Sequence, residues 1–508
     1  MGSLKFSVGE KITDADFETA ITSTGFGKFH LLLLALCGLI YLDTAIGITL
    51  LSFVLPSAQC DLQLTSTDKG WLTAAPMFGM MVGSYFWGCL ADTQGRKIVL
   101  VAALFLDGIC GVASSISQYF GIFLFFRFLN GFGITGAMGI CYPYLGEFQP
   151  TVHREKILCW MEIFWTGGVI LLPGLAWIII PLDVRFVSEH FVFGSWNLFV
   201  LVCSLPSLLV GAWLLTFPES PKFLMESEEP DAERIERAHE KRHQHRVSAQ
   251  PERRGRSEVS VGVQSLVHRN LGPDKGSLQT SSPQEHRLDM RRPVRPHFQS
   301  SQLYYENLML FRSYFTLMVW FPELFDRFQV FESEHPGMGG SVCDVSSQAD
   351  SSGACDHEID TSVYLRTLII GLACVPTSFW LPLCVHRLGA KFFLVFSLVV
   401  AGGVTIGFYF IGNSTANLVL SCIFEALTSL AVSTVFCVMV DLFPTNLRVM
   451  AAALSLTFGR AGALIGSLVF GYLIDLNCLV PILLFAALLL GSGGLCLLLP
   501  NTGKEQLD

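Results

Sequence analysis

A 508-residue chain that is 51% hydrophobic and only 15% charged carries too much apolar surface for a soluble domain, in which about a quarter of residues are charged. Its mean hydropathy of +0.52 points to the bilayer as its solvent. The net charge of −9 excludes a basic nucleic-acid binder and says little else about partners. In chain order, residues 1–28 are polar and lack the basic start and apolar core of a cleaved leader. They read as a cytoplasmic N-terminal segment. Apolar runs then predict spans at 29–56, 70–91, 98–116, 119–145, 156–181 and 196–217, each near the roughly 20 residues that a helix needs to cross. Residues 218–302 are rich in charge, Ser, Pro and Gln. They predict a disordered cytoplasmic linker on which cytosolic partners are expected. Six more runs follow at 303–325, 363–384, 390–412, 415–440, 449–474 and 478–500, then a short tail at 501–508. Runs this long mean helices, which satisfy their own backbone in lipid. The expected architecture is all-α: twelve membrane helices in a half at 29–217 and a half at 303–500.

Two landmarks recur at one offset. EFQPTVHR at 147–154 and DLFPTNLR at 441–448 share an acid, Pro-Thr and an Arg. GCLADTQGRK at 88–97 and LCVHRLGAK at 383–391 share a glycine and a lysine. Glu147 to Asp441 and Gly95 to Gly389 are both 294 positions. A shared offset implies parallel six-helix repeats. With the N-terminus inside, the inner segments hold Lys5, Lys11, Lys28, Arg96, Lys97, Arg154, Lys156, Arg387, Lys391, Arg448 and Lys504, and the outer loops hold Lys69, Arg185 and Arg327. The positive-inside rule then puts both termini in the cytoplasm.

GCLADTQGRK (88–97), RFLNGFGITGA (127–137), FPESPKFL (217–224) and LPNTG (499–503) resemble signatures of the major facilitator superfamily of transporters. Within it, VLPSAQCDL (54–62), GMMVGSYFWGCLAD (79–92), SWNLFVLVCSLPS (195–207) and VWFPELFDRF (319–328) are similar to the synaptic vesicle glycoprotein 2 family. The resemblance implies alternating access of a small organic solute, proton- or ion-coupled, by a monomer without cofactor. Its alternative is a transporter-like vesicle membrane protein acting in trafficking or exocytosis by binding. Plasma membrane and vesicle membrane both fit. The resemblance also implies a cytoplasmic latch of Gly88, Asp92, Gly95, Arg96, Glu147, Arg154 and Glu219, with Asp441 and Arg448 in the second half, where His386 and Ala390 replace an acid and an Arg. Asp92 would answer a cation or helix end in the opposite half. The outer loop at 326–362 is shorter than the family's. Residues 225–313 do not follow the family, and Glu306 and Arg312 interrupt the seventh span, either facing a wet cavity or marking a span damaged at an exon boundary.

Charges within spans are costly and usually functional. Asp43 and Arg127 are candidates for substrate, proton or mutual pairing. Glu425 and Arg460 divide between cavity and pairing, and Glu162 between cavity and snorkelling at the inner end of its span. Ile46 stands where the family's first span has its second acid, and no other membrane acid is expected beside Asp43. Tyr142, Trp165, Tyr314 and Trp320 are candidate walls for a partly apolar or cationic solute. Gly131, Gly133, Gly136 and Gly139 lie inside a span and read as helix contacts rather than a phosphate loop. HEKRHQH (239–245) reads as a solvated charge run, so no metal site is expected. Of 15 cysteines, Cys343 and Cys355 share the outer loop and form the expected disulfide. The same residues show no nucleophile–base pair or cofactor motif, so no enzymatic activity is expected.

Overall fold

The computed structural model describes residues 27–149, 151–182, 184–188, 191–224, 296–335, 341–348, 359–442 and 445–497. The first half comprises α1 (Lys28–Thr49), α2 (Leu51–Ser57), α3 (Gln59–Leu62), α4 (Ser66–Gln94), α5 (Arg96–Ser115), α6 (Phe120–Glu147), α7 (Thr151–Ile179) and α8 (Ser195–Leu214). A hairpin of β1 (Phe186–Ser188) and β2 (Phe191–Phe193) joins α7 to α8. The second half comprises α9 (Pro296–Glu334), α10 (Val342–Gln348), α11 (Thr361–Ala373), α12 (Val375–Leu388), α13 (Ala390–Phe410), α14 (Ser414–Leu442), α15 (Thr445–Asn477) and α16 (Leu479–Cys496).

Among the described residues, ten helical segments, with α1–α2 and α11–α12 each counted as one, are long and apolar enough to cross a membrane. The long helices α4 and α9 are less apolar. Both pack against α15, so part of their surface faces protein rather than lipid. The seventh span is a helix that extends past the expected 303–325 at both ends, because a helix does not stop where its apolar face does.

The repeat is visible in the packing. In the first half α1 lies against α7, α6 against α5, and α5 against α8. In the second, α9 lies against α15, α14 against α13, and α13 against α16. The turns before α5 and α13 match in backbone. Gly95 (φ 103°, ψ 152°) and Gly389 (φ 82°, ψ 146°) both adopt a positive φ that glycine alone takes readily. Lys97 Nζ donates to Leu215 O at 2.9 Å and Lys391 Nζ to Leu497 O at 2.8 Å. Each lysine thereby caps the carbonyl end of its half's last helix, where the helix dipole favours a cation.

The halves meet at α4 with α15 and at α7 with α11 and α12. At the first contact a Cβ on Gly471 would stand 2.6 Å from Gly70 Cα. Small residues let these two backbones touch. Below, the end of the bundle that carries Gly95 and Gly389 is called the signature end, and the opposite one the far end.

The expected Cys343–Cys355 disulfide is corrected. Cys343 on α10 bonds to Cys478 in the turn between α15 and α16, with Cα atoms 5.2 Å apart. Two cysteines in one loop suggested a local bridge, but α10 folds back onto α9 and α15 and brings Cys343 to a residue 135 positions away. Cys355 lies outside the described residues. Peptide mapping without reduction is expected to recover a fragment joining Cys343 to Cys478. Cys478→Ser should cost about 2–4 kcal/mol of stability and lower the unfolding midpoint, whereas Cys355→Ser should not. A fragment joining Cys343 to Cys355 would overturn the pairing.

Candidate functional site

At the signature end, the charges of 88–97 gather on the segment that follows α8. Glu219 Oε1 accepts from Lys97 N at 2.8 Å and from Ser220 N at 2.9 Å. Its carboxylate thus sits at the N-terminus of α5, where free N–H groups and the helix dipole favour an anion. Gly95 is needed twice over, since a Cβ there would also lie 2.7 Å from Glu219 Oε2. Arg96 bonds to Ala91 O (2.9 Å), pairs with Asp92 (3.2 Å) and with Glu147 (3.5 Å), and lies over the Phe223 ring. Glu147 also accepts from Ser220 Oγ. Arg154 closes the turn between α6 and α7 by donating to Gly146 O at 2.9 Å and Gln149 O at 3.2 Å.

Asp92, Gly95, Arg96, Glu147 and Glu219 therefore form one cluster, with Arg154 behind it. Gly88 stands apart, and a Cβ on it would meet nothing within 4 Å. The contacts described for this cluster join parts of the first half. Asp92 is exposed and bonded to Arg96, four residues on. The side chains of Asp441 and Arg448 lie outside the described residues.

Within the first half, Asp43 on α1 does have an acid beside it. Ser207 on α8 lies 2.7 Å from Asp43 Oδ2 and 2.8 Å from Asp107 Oδ2 on α5. Asp107 also accepts from Asn130, and Arg127 is within electrostatic reach of it. Arg127 donates to Ser114 and covers Phe123, so its link to Asp43 runs through Asp107. Ser207 has one hydroxyl proton for two carboxyl oxygens. It can donate to one, and the other short contact needs a proton on the carboxyl itself. A proton shared between the two acids fits this geometry. The signal in the sequence was an acid in an apolar run, LFLDGICG, which the search for a second acid on α1 passed over.

Between the halves, Tyr41 touches Tyr142 (5.2 Å between ring centroids) and Trp165 (5.4 Å). Trp165 is in hydrogen-bonding position to Tyr314 of the second half. Glu162 accepts from Ser433 of α14 at 3.1 Å, and Thr166 meets Ser378 of α12 at 3.0 Å. Glu162 therefore faces the opposite half and does not snorkel. Tyr314 lies within electrostatic reach of Glu162 and Glu425. Its hydroxyl is directed at Glu425, yet neither oxygen of that buried carboxylate meets a partner at hydrogen-bond geometry. Tyr142, Trp165, Tyr314 and Glu425 are thus brought together, with Tyr41 and Glu162 added. Trp320 is elsewhere, packed on Phe470 of α15. Arg460 crosses to the first half at another place, where it bonds to Ser84 and lies against Met80 O and Met138.

The far end holds a network that the sequence reading missed. Lys69 of α4 pairs with Glu323 of α9, and both are almost fully buried. Arg327 pairs with Glu323 at 3.0 Å and with Asp475 of α15 at 2.9 Å, and donates to Ser66 at 2.8 Å. Lys69 also donates to Gln59 at 2.9 Å. Lys69 and Arg327, expected in outer loops, are instead the cations of this layer. The Glu323–Arg327 spacing of four was the available hint. Nothing local could name Lys69, which lies 254 positions away.

The family "Sugar (and other) transporter" matches residues 21–263. Human synaptic vesicle glycoprotein 2C is 26% identical over 97% of this chain and 81% of its own length. Synaptic vesicle glycoprotein 2A of Rattus norvegicus is 37% identical over 42% of this chain and 29% of its own. Among solved structures, the xylose transporter XylE from E. coli, in a partially occluded inward-open conformation, superposes with a TM-score of 0.65. It covers 95% of this chain and 100% of that one at 14% identity. The D-xylose-proton symporter gives 0.64, covering 94% and 98% at 14% identity.

The far-end layer can be tested by charge removal. Glu323→Gln removes the carboxylate bonded to buried Lys69 and leaves Asp326 as the acid within electrostatic reach, and breaking such a pair costs about 3–5 kcal/mol. A clear drop in the unfolding midpoint of the purified protein is expected. The Lys69→Met/Glu323→Gln double variant should recover much of it, because no lysine is then stranded. An unchanged midpoint in Glu323→Gln would refute the layer.

Proposed function

Since the chain is a multi-pass membrane protein of the major facilitator type, close in sequence to the synaptic vesicle glycoprotein 2 proteins, we propose that it carries a small organic solute by alternating access. The observation that carries this reading is the ionic layer between the halves. Lys69–Glu323 and Ser66–Arg327 cross from one half to the other, whereas Arg327–Glu323 and Arg327–Asp475 stay within the second. Opening the far end breaks the first two and leaves the others. Glu323 keeps a cation and Lys69 meets water. A few kcal/mol separate such states, which is within reach of a partly hydrated pair. The solute occupies the centre beside Trp165 and Tyr314 as the halves part, and is released at one end or the other.

The Asp43–Ser207–Asp107 cluster is the coupling site. A shared proton between two acids on α1 and α5 ties protonation to the packing of the first half, since losing it leaves two carboxylates in one low-dielectric place. The signature cluster acts as a latch within the first half. It fixes α4, α5 and the turn after α6 to the segment after α8, so that the half moves as a body. The lysine pattern of the loops supports a cytoplasmic signature end, and the Cys343–Cys478 bridge at the far end fits an oxidising compartment.

Proteoliposome uptake tests this reading. Saturable uptake of at least one sugar, organic cation or organic anion is expected, stimulated by a pH gradient. Asp43→Asn and Asp107→Asn should each flatten the pH dependence while leaving solute exchange measurable. Absence of saturable uptake across all three solute classes, with the protein monodisperse and showing a cooperative unfolding transition, would refute transport.

A further inference from the structure

The centre between the halves holds two acids that no described residue answers with a positive charge. Glu162 and Glu425 both face it, and neither forms an ion pair among the described residues. Two arginines on neighbouring helices are turned elsewhere. Arg460 bonds to Ser84 of α4. Arg312, two residues before Tyr314, lies on the side of α9 that packs against Gly466 of α15. Several polar groups of the centre are already paired across the halves: Ser433 with Glu162 and Thr166 with Ser378. What is left over is Glu425, 1% exposed, with both carboxylate oxygens unpartnered. Ser421, one turn earlier on α14 and fully buried, also has its hydroxyl unpartnered.

From this geometry we infer that the solute is an organic cation, its ammonium group held by the Glu425 carboxylate and packed against the rings of Tyr314, Trp165, Tyr41 and Tyr142. The inference rests on the transporter reading for the location of the site and narrows it to a substrate class. A buried carboxyl group is stable either with its proton on or with a counter-charge beside it, and a cationic solute brings the second. The aromatic faces add attraction for a cation and none specific to a neutral polyol. A sugar, by contrast, needs several unengaged donors and acceptors, and here most are already paired with each other. Glu162 supplies a second carboxylate on the opposite half, so a cation at Glu425 also draws the halves together. Ser421 is placed to accept an N–H or donate to a hydroxyl of the solute.

Choline and its neutral isostere 3,3-dimethylbutan-1-ol separate charge from shape, with tetraethylammonium as a bulkier cation and xylose as a neutral sugar. Binding is read as a saturable rise in the unfolding midpoint of the purified full-length protein. At least one of the two cations is expected to bind, with the neutral isostere roughly tenfold or more weaker. Glu425→Gln should weaken the cation by roughly tenfold or more, and Glu425→Asp should restore part of the loss, which a merely structural glutamate would not do. An unfolding transition retained in Glu425→Gln without ligand confirms that the variant folds. Binding of xylose or of the neutral isostere as tight as that of the cations, cation affinity unchanged in Glu425→Gln, or no binding by any probe would each overturn the cation site. Uptake distinguishes this from failure of the transport reading. Sugar uptake insensitive to Glu425→Gln sinks the cation inference and keeps transport. Glu425-dependent cation binding without uptake keeps the site and sinks transport.

Discussion

Charge inside a hydrocarbon-embedded bundle has to be answered by another group of the protein, because no water is there to do it. That constraint organises this molecule. Lys69, Glu323, Arg327 and Asp475 answer one another across three helices and two halves. Asp43 and Asp107 share a hydroxyl, with Asn130 and Arg127 behind it. Each such set fixes how its helices pack, since a helix that moves away strands a charge. Among the described residues Glu425 has no ion-pair partner and neither of its oxygens has a hydrogen-bond partner, and it stands where the two halves meet.

The duplication has been kept unevenly. Glycine with positive φ and the lysine two residues later do the same work at both turns, one bending the chain and the other capping a helix. These are backbone tasks that any copy of the fold must perform. The acid and arginine of the first signature have no counterparts at His386 and Ala390. In the first half Arg96 binds Asp92 and Glu147 and lies over the Phe223 ring of the segment after α8.

The signature turns and the aromatic centre occupy different depths. The signature cluster lies at helix ends, where charge is cheap and local capping rules apply. The ionic layer at the far end is buried and joins the halves directly. Between them sits the aromatic and carboxylate centre, built from α1, α6 and α7 on one side and α9, α12 and α14 on the other. The two halves thus contribute to the centre from unrelated positions in sequence, while each end is held by its own set of charges.

What the sequence determined by itself was local or periodic. Apolar runs set the membrane helices, because their length is matched to the bilayer and not to any partner. A constant offset of 294 located the repeat and with it Gly95 and Glu147, and the resemblance of the signature segments pointed to Arg96 and Glu219. Asp43, Trp165, Tyr314 and Glu425 were legible as polar or aromatic groups in apolar helices, though not as neighbours. The tertiary structure alone decided which of them meet. Lys69 finds Glu323, Asp107 finds Asp43 through Ser207, and Cys343 finds Cys478 rather than Cys355. It also set Trp320 and Arg460 apart from the centre. Helices bring together residues that lie far apart in the chain, and the sequence carries no local mark of which distant charge will complete a buried pair.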